Sequence, residues 1–316
     1  MAIECATIID PSTGAMAQIA VGFGFNCFQF QVQSNGQPLE ILWSDPGFAR
    51  GSARASSSGI PLLFPFPGRI PQGVFKWEGK EYRLPTGDGR GNAIHGFVLD
   101  RPWRLVQQNG HQVVGEFHAS RDDAKILELW PADFRIRVTY SLRNDTLSST
   151  LEIENPDSKT LPFGLGTHPY FRVPLGGKSR DECRVVVPVS EEWELKELLP
   201  TGNRTTLKSA ALLQRGMRFG DMFFDHVFTG LQFDNGWCRS AIVDPESNVR
   251  VEQNFDRSFR ECVLYTPGHR DAVCIEPYTC VPGPFELQER GIEAGLRVLR
   301  PGEKFAAQVE IKVGHG

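Results

Sequence analysis

Apolar and polar residues alternate with a period of two along much of this chain. Neighbouring residues of a β-strand point to opposite faces, so this period predicts strands with one buried and one exposed face. The strands predicted in this way cover residues 25–33, 103–108, 112–120, 135–142, 149–155, 183–190, 250–255, 261–267 and 304–313.

Turn signals separate these strands at short intervals. They are found at residues 35–36, 88–89, 143–145, 155–158 and 234–236. Such short connections join antiparallel neighbours in hairpins and meanders. Helical patterns are limited to 121–130 and parts of 208–222, and the most loop-like segment is 52–59. The pattern therefore predicts an all-β fold, a large antiparallel β-sandwich with few short helices.

Composition agrees with this architecture. The 316 residues are 40% hydrophobic and 23% charged, which is enough apolar material for a packed core. The 22 Pro, 32 Gly and 22 Phe favour strands joined by turns over long helices. No internal repeat or low-complexity linker interrupts the chain. We therefore expect a single domain over residues 1–316.

Charge and cysteine content narrow the possible partners. Net charge is −4, and Lys and Arg are scattered along the chain, so nucleic-acid binding is not expected. No apolar run approaches the roughly 18 residues of a membrane span, and the N-terminus lacks the pattern of a signal peptide. The seven cysteines show no CxxC pair and no zinc-ligand spacing with His. These features predict reduced thiols, no metal, and a soluble protein in the cytoplasm.

Candidate chemistry is concentrated in segments where polar residues stand beside Gly, Pro and aromatics. These segments are 66–73, 91–97, 164–171, 274–280 and, less clearly, 223–230. Gly and Pro fix the local backbone, and an aromatic ring offers a surface for the C–H face of a sugar.

His95, His168 and Glu276 are the titratable residues of most interest in these segments. An imidazole can donate and take back a proton near neutral pH, and a carboxylate can accept one. Glu276 stands among apolar residues, so we expect it to end or interrupt a buried strand. A buried acid paired with an Arg is the structural alternative. The alternatives for Asp225 and Arg69 are a turn or helix-cap residue and an exposed loop cation.

Ordered motifs resemble those of the aldose 1-epimerase (galactose mutarotase-like) family. They are GIPLLFPFPGRI, NAIHGFVLDRPW, LPFGLGTHPYFRVP, FDHVFTGL, CIEPYTCVPGPFEL and LRVLRPGE, which follow one another from about residue 20 to the end. The resemblance implies a β-sandwich with a sugar cleft on one sheet, and an isomerase that interconverts the α and β anomers of an aldose.

The resemblance also implies roles for individual residues. His168 matches the general acid that protonates the ring oxygen, and Glu276 matches the base that deprotonates the anomeric hydroxyl. His95 matches a second histidine that hydrogen-bonds the sugar. The positions that contact the sugar are Arg69, Asp225 and Tyr170. Galactose-specific members carry Asn where this chain has Gly68, and a second Gly where it has Phe97, so the chain belongs to a divergent branch.

Opening and closing a cyclic hemiacetal needs one acid and one base, so no cofactor or metal is expected. A non-catalytic sugar-binding protein and a glycoside hydrolase built on Glu276 and Asp225 are the alternative functions. We expect a neutral aldose to be preferred over a sugar phosphate, because only Arg69 has an implied place in the cleft. The opposing possibility is that Arg50 and Arg54 fold over the cleft and bind a phosphate.

Overall fold

The computed structural model describes residues 3–315 of the chain. Strands account for 47% of it and helices, all short, for 11%. The predicted all-β class with few short helices is therefore confirmed. Among the described residues no helix is both long and apolar enough to cross a membrane.

In chain order, the strands are β1 (Cys5–Ile9), β2 (Met16–Ala20), β3 (Asn26–Ser34), β4 (Gln37–Glu40), β5 (Leu62–Leu63), β6 (Arg69–Ile70), β7 (Val74–Trp77), β8 (Lys80–Arg83), β9 (Ala93–Ile94), β10 (Arg104–Asn109), β11 (Gln112–His118), β12 (Arg135–Arg143), β13 (Thr146–Glu154), β14 (Leu161–Phe163), β15 (Gly166–Thr167), β16 (Tyr170–Arg172), β17 (Arg184–Val186), β18 (Glu191–Lys196), β19 (Leu199–Thr206), β20 (Met217–Arg218), β21 (Asp225–Thr229), β22 (Trp237–Asp244), β23 (Val249–Asp256), β24 (Glu261–Tyr265), β25 (Ala272–Tyr278), β26 (Arg297–Leu299) and β27 (Lys304–His315). The α-helices are α1 (Ala119–Asp122), α2 (Ile126–Leu129), α3 (Ala210–Arg215) and α4 (Pro284–Glu289). The 3₁₀ turns are Phe48–Arg50, Ala55–Ser57, Pro71–Gly73, Arg180–Glu182 and Phe219–Asp221.

Two large antiparallel sheets dominate the described part of the chain. The nine-stranded sheet has the order β10-β11-β12-β13-β27-β23-β22-β17-β20. The eight-stranded sheet has the order β19-β18-β21-β24-β25-β15-β5, and β16 also pairs with β25. A four-stranded sheet, β1 to β4, and three two-stranded ribbons complete the pairing.

The main hydrophobic core receives side chains from both large sheets. Ile136 and Val138 of β12 enter it from the nine-stranded sheet, and Val273 and Ile275 of β25 enter it from the eight-stranded sheet. Alternate residues of each strand supply these side chains, as the period of two predicts. The intervening residues of the eight-stranded sheet face the opposite way, and there they form the candidate site.

Each of the nine predicted strands overlaps an observed one. The segment predicted at 183–190 is a strand only at Arg184–Val186, because Pro188 follows and has no N–H to donate to a sheet. The predicted helix at 121–130 is two short helices, α1 and α2, and the helical pattern of 208–222 contains α3 and a 3₁₀ turn. The period of two did not predict the remaining strands, which include β1, β2, β18, β19, β21 and β22. For β25 the sequence predicted only a buried strand that Glu276 ends or interrupts.

Candidate functional site

A cleft with a volume of about 200 Å³ lies on the eight-stranded sheet, on the face turned away from the core. It is lined by Arg54, Ser56, Ser57, Gly68, Arg69, His95, His168, Tyr170, Leu195, Leu198, Asp225, Val227, Val263, Tyr265, Glu276, Tyr278 and Pro282. All six residues singled out in the sequence are among them, although they come from five distant segments.

Strand β25 forms the floor of this cleft, and each of its residues is buried. Val273 and Ile275 point into the main core, so Glu276 and Tyr278, two residues apart, share the opposite face. The expectation that Glu276 ends or interrupts a strand is wrong. It lies inside β25, paired with Val263 of β24, and its side chain lines the cleft on the face turned away from the core.

Glu276 is held by two side chains. The Tyr278 hydroxyl donates a hydrogen bond of 2.7 Å to Oε2, and Oε1 lies 3.2 Å from Nε2 of His168. Glu276 is 1% exposed. Among residues 3–315 no Arg lies within ion-pair distance of it, so the alternative of a buried acid paired with Arg is not what the structure contains.

His168 follows the two-residue strand β15, and its backbone N–H donates to the carbonyl of Pro61. Its ring stacks on that of Tyr170, with ring centroids 4.8 Å apart and planes 4° from parallel. Tyr265 meets the same ring edge-on at 6.0 Å. Nδ1 of His168 is buried and has no hydrogen-bond partner within the described residues. Packing therefore fixes the plane of the imidazole and leaves Nε2 directed at Glu276.

Burial shifts both members of this pair towards their uncharged forms. It lowers the pKa of His168 to about 3, and it raises the pKa of Glu276 well above its ordinary value, with the hydrogen bond from Tyr278 acting in the opposite direction. A carboxylic acid beside a neutral imidazole carries the same protons as a carboxylate beside an imidazolium. One proton moved across the 3.2 Å contact interconverts the two forms without changing the net charge.

His95 occupies the left-handed region of backbone conformation, with φ of 65°. A non-glycine residue there costs about 1 kcal/mol or more, and such strain is concentrated at functional sites. The N–H of Gly68 donates to Nδ1 of His95 at 3.2 Å, so the ring proton resides on Nε2. Burial, the neighbouring His168 and Arg69 lower the pKa of His95 well below its ordinary value. His95 is therefore a neutral hydrogen-bond donor.

Arg69 and Asp225 provide opposite charges on the walls of the cleft. Arg69 lies in the short strand β6, is 18% exposed, and its Nε donates to Asp88 at 3.1 Å. It is thus a held side chain and not the exposed loop cation of the alternative. Asp225 begins strand β21, opposite Tyr265, and is neither a helix cap nor a turn residue. Its carboxylate accepts no hydrogen bond from the residues the structure describes.

Tyr170 is 4% exposed, and its hydroxyl donates to the backbone carbonyl of Ser56 at 3.0 Å. The loop-like segment 52–59 is therefore tied to the cleft, where Arg54, Ser56 and Ser57 form part of the wall. This loop was not assigned to the site from the sequence. Tyr170 contacts the ring of His168 over its whole face, so its first effect is to position that histidine.

Other contributors were missed as well. Tyr278 stands two residues after Glu276, and the period of two would have put both on one face of a strand. Asp88, which lies in a predicted turn, binds Arg69, and burial of Asp88 is outweighed by hydrogen bonds from Asn92 and Arg90 and by Arg69, so its pKa falls to about 2. Tyr265 comes from a predicted strand and a motif of the resemblance, but no role in the site was assigned to it from the sequence.

The departures from the galactose-specific pattern have structural consequences. Gly68 has φ of 65°, and a Cβ at this position would lie 2.6 Å from Cγ of Pro282, so an asparagine does not fit without movement of that proline. Phe97 is buried and meets Phe66 and Trp130 edge-on at 5.9 and 5.8 Å. This wall of the cleft is therefore supported by an aromatic core.

The described residues contain one group that could ligate a metal at this site. Ligand atoms of His168, Cys274 and Glu276 all lie within 4.8 Å of one another, and the three residues are buried. Burial and the nearby Glu276 raise the pKa of the Cys274 thiol well above its ordinary value, so in the absence of a metal ion this thiol is protonated. The pair His168 and Glu276 has a direct contact with each other, which suits proton transfer without a metal.

Comparison with known proteins agrees with this geometry. The aldose 1-epimerase family profile matches residues 11–312. The uncharacterized protein YphB of Escherichia coli (strain K12) is 30% identical over 311 residues, which cover 90% of this chain and 95% of YphB. Galactose mutarotase of Sus scrofa is 26% identical over 208 residues, 63% of this chain and 57% of that enzyme.

Among solved structures, a galactose mutarotase-like protein from Clostridium acetobutylicum has the same fold. The two superpose with a TM-score of 0.87 at 22% identity, over 100% of this chain and 99% of the other. Fold, family profile and relatives agree over nearly the whole length. The chain therefore belongs to the aldose 1-epimerase family.

Proposed function

We propose that this protein is a mutarotase, an isomerase that interconverts the α and β anomers of a free aldose. The observation that carries the proposal is the contact of 3.2 Å between His168 Nε2 and Glu276 Oε1 on the floor of an open cleft. Anomer exchange requires an acid and a base that act on two oxygens bound to the same carbon. This pair supplies both groups at that spacing.

In the proposed reaction, Glu276 takes the proton of the C1 hydroxyl while His168 gives one to the ring oxygen. The C1–O5 bond breaks, the electron pair of the C1 oxygen forms the carbonyl, and O5 becomes a hydroxyl. Rotation about C1–C2 followed by the reverse transfers closes the ring on the other face. The reaction starts from the imidazolium form of His168 and the carboxylate form of Glu276. This charged pair carries the same number of protons as the uncharged pair, so sugar binding needs no proton from solvent.

The surrounding residues are proposed to orient the sugar. His95 presents an N–H from Nε2, because Nδ1 is occupied by Gly68. Arg69 uses Nε for Asp88, which leaves its terminal nitrogens for sugar hydroxyls. The carboxylate of Asp225 has acceptor capacity for one or two more hydroxyls. Tyr170 is proposed to brace His168 and to cover one side of the sugar.

A neutral aldose is the substrate favoured by the charges of the cleft. A phosphate dianion is stabilised when several cations converge on it. Here Arg69 is already paired with Asp88, and Arg50, one of the two loop cations considered for a phosphate clamp, does not line the cleft, whereas Arg54 does. With Asp225 and Glu276 also lining the cleft, Arg54, the one cation of its described lining without a carboxylate partner, is weak support for a dianion.

The charge preference has a direct test. We expect kcat/KM for glucose to exceed that for glucose 6-phosphate and to change little with ionic strength. A preference above tenfold for the phosphate that weakens as salt rises would contradict the neutral-sugar proposal. In that case Arg54→Gln should remove most of the preference.

Anomer exchange is tested by polarimetry on freshly dissolved α-aldoses, with release of nitrophenol from nitrophenyl glycosides as the parallel assay. The proposal expects faster mutarotation and no glycoside cleavage. His168→Asn should slow exchange by roughly 10²- to 10⁴-fold with little change in melting temperature. The matched control is His118→Asn, because His118 contacts Asp133 at 2.8 Å on the other large sheet. Sugar binding without exchange would favour the non-catalytic alternative, and glycoside cleavage would favour the hydrolase.

A further inference from the structure

A second depression, the outer groove, adjoins the cleft and shares Leu195, Leu198, Asp225 and Tyr265 with it. Its volume is about 750 Å³, against about 200 Å³ for the cleft. Most of the space available to a ligand therefore lies outside the region that contains His168 and Glu276. Nothing in the proposed exchange of a monosaccharide uses this space.

The groove opens from one particular end of the cleft. It is bordered by Asp225 and by Arg90, which follows two residues after the Asp88 that binds Arg69. Neither His168 nor Glu276 lines it. Under the proposed function, the anomeric carbon lies at His168 and Glu276, and other hydroxyls of the sugar lie at Arg69 and Asp225. A substituent on one of those hydroxyls would point into the groove.

The groove carries an aromatic platform. Phe223 is 72% exposed, the most exposed of the large hydrophobic residues in the described part of the chain. Its ring is held in place by the guanidinium of Arg270, 4.5 Å from the ring centroid, which also donates to the carbonyls of Met222 and Phe219. A fixed and exposed aromatic face beside a sugar cleft is suited to stacking against the C–H face of a further sugar ring.

The charges of the groove select a neutral ligand. Glu192, Glu194 and Glu197 contribute carboxylates to its lining, and Arg90 contributes the opposing cation. Carboxylates accept hydrogen bonds from sugar hydroxyls, whereas they repel a phosphate or a carboxylated sugar. The combination of an aromatic platform, acceptor groups and a shared wall with the cleft matches a glycosyl unit.

We infer that the substrate is a neutral oligosaccharide with a free reducing end, whose reducing sugar enters the cleft while the next sugar lies in the outer groove against Phe223. This inference rests on the proposed function, because the reducing end is placed by His168 and Glu276. It names the substrate class of the same site, a disaccharide or longer chain in preference to a single aldose.

The test compares glucose and galactose with the reducing disaccharides maltose, cellobiose, lactose and melibiose. Anomer exchange is followed by NMR, and binding is measured by calorimetry. We expect at least one disaccharide to exceed its own reducing monosaccharide by tenfold or more in kcat/KM and in affinity. Phe223→Ala should reduce that disaccharide's kcat/KM and affinity by tenfold or more, and Phe223→Tyr, which keeps the aromatic face, should retain them.

Leu212→Ala is the matched control, since Leu212 is 60% exposed but lines neither cavity. Monosaccharide exchange without any gain for the disaccharides, or an equal loss for both classes in Phe223→Ala, would overturn the inference and leave the mutarotase proposal intact. A disaccharide gain in binding that depends on Phe223, without exchange of any sugar, would support the groove and overturn the mutarotase proposal. If neither anomer exchange nor a gain in disaccharide binding is observed, both the inference and the mutarotase proposal are overturned.

Discussion

The two large sheets of this protein differ in where the polar side chains of their strands lie. In the nine-stranded sheet, polar residues leave the core for solvent and pair with one another, as Glu116 does with Arg104 and Arg137. In the eight-stranded sheet, β25 is buried on both faces and its polar residues converge on a cleft. Glu116 on the first sheet is thus balanced by two arginines, whereas Nδ1 of His168 on the second sheet is buried without a hydrogen-bond partner among the described residues. Under the proposed function, the sugar would supply hydrogen-bond partners to the residues of the cleft.

Substitution of Glu276 and of Glu116 should give the largest difference in activity between the two sheets. The two residues are comparable, because each is a nearly buried glutamate within a strand. Glu276→Gln should slow anomer exchange by roughly 10²- to 10⁴-fold, since it removes the proposed base and keeps its shape. Glu116→Gln should leave exchange unchanged and reduce the free energy of unfolding by about 1–3 kcal/mol, since it uncouples two arginines. Rates from NMR and unfolding in urea measure both. Exchange at the wild-type rate in Glu276→Gln would make that residue structural.

Tyr278→Phe removes the hydrogen bond to Oε2 of Glu276 and nothing else from the cleft. A hydrogen bond to a charged group contributes about 1.5–3 kcal/mol, so we expect kcat to fall by roughly tenfold to a hundredfold. Tyr140→Phe removes a hydroxyl from the core under the nine-stranded sheet, where the ring stacks on Phe25 at 5.8 Å. That control should keep the wild-type kcat. Equal kcat in Tyr278→Phe and wild type would contradict the orienting role.

The pH dependence of stability should have opposite signs at the two glutamates. The pKa of Glu276 is raised by burial, so above about pH 4.5 the folded state holds a proton that the unfolded state has lost. Stability then decreases with rising pH, by at most about 1.4 kcal/mol per unit, until the raised pKa is reached. Glu276→Gln lacks this loss. Its melting temperature should therefore rise relative to wild type between pH 5 and pH 8.

At Glu116 burial is outweighed by hydrogen bonds from Arg137 and Arg104, and the pKa is lowered. Its contribution to stability is present above about pH 4.5 and is lost as pH falls. Glu116→Gln should therefore be least stable relative to wild type near neutral pH and approach it in acid. Thermal unfolding across this range measures both slopes. Slopes of the same sign for the two variants would refute the electrostatic contrast.

His168 makes a third contribution to the pH dependence of stability, and the two glutamate variants share it with wild type. Its pKa of about 3 lies below the ordinary value of 6.5, so the unfolded state binds more protons between these values and stability decreases as pH falls below 6.5. Between pH 4.5 and 6.5 this slope opposes that of Glu276. His168→Asn should therefore reveal the uncompensated loss of stability with rising pH in this interval.

The smallest expected difference between the two sheets concerns one hairpin turn in each. Asn144 and Asp145 join strands β12 and β13 with φ of 49° and 54°, a conformation that suits Asn and Asp. Glu197 and Leu198 join β18 and β19 with φ of 54° and 66°, where neither residue is favoured. Leu198 lines the cleft, and we attribute the strained backbone at this turn to the position that its side chain takes there.

Leu198→Gly should relieve this strain, keep the melting temperature within a few degrees of wild type, and raise KM by about threefold. That change corresponds to roughly 0.7 kcal/mol of lost contact. Asn144→Gly, the matched turn on the other sheet, should leave KM unchanged. An unchanged KM in Leu198→Gly would mean that the side chain does not contact the sugar.

The same contrast explains what the sequence could predict. Strands of the nine-stranded sheet, such as β12 and β13, alternate because one face meets water. The prediction for β12 misses one residue at its end, and the prediction for β13 begins three residues late. Strand β25 was predicted only as a buried strand around Glu276, without bounds, because every position is buried and no alternation exists. Pro188 shortened a strand that the apolar pattern alone extended. The period of two and the turn residues therefore identify strands with one exposed face, and they fail for strands that are buried on both faces.

For the site, local motifs identified His95, His168 and Glu276, whose neighbours are unusual for a structural residue. The resemblance to a family assigned Arg69, Asp225 and Tyr170. Residues that act through another side chain, such as Asp88 on Arg69, carry no local signal, since their importance depends on a contact formed only in the folded chain. Arg54 was placed over the cleft only in the alternative of a phosphate clamp, and Ser56 and Ser57 of the same loop were missed for the same reason.

The measurement that tests the central claim most directly is anomer exchange, followed by NMR, in four proteins: wild type, His168→Asn, Glu276→Gln and the double variant. If the two residues act as one acid and base pair, wild type accelerates exchange in proportion to its concentration, each single variant loses most of the acceleration, and the double variant is no worse than the slower single variant by more than a few-fold. Losses that multiply in the double variant, or no acceleration by wild type with any aldose, would contradict the account.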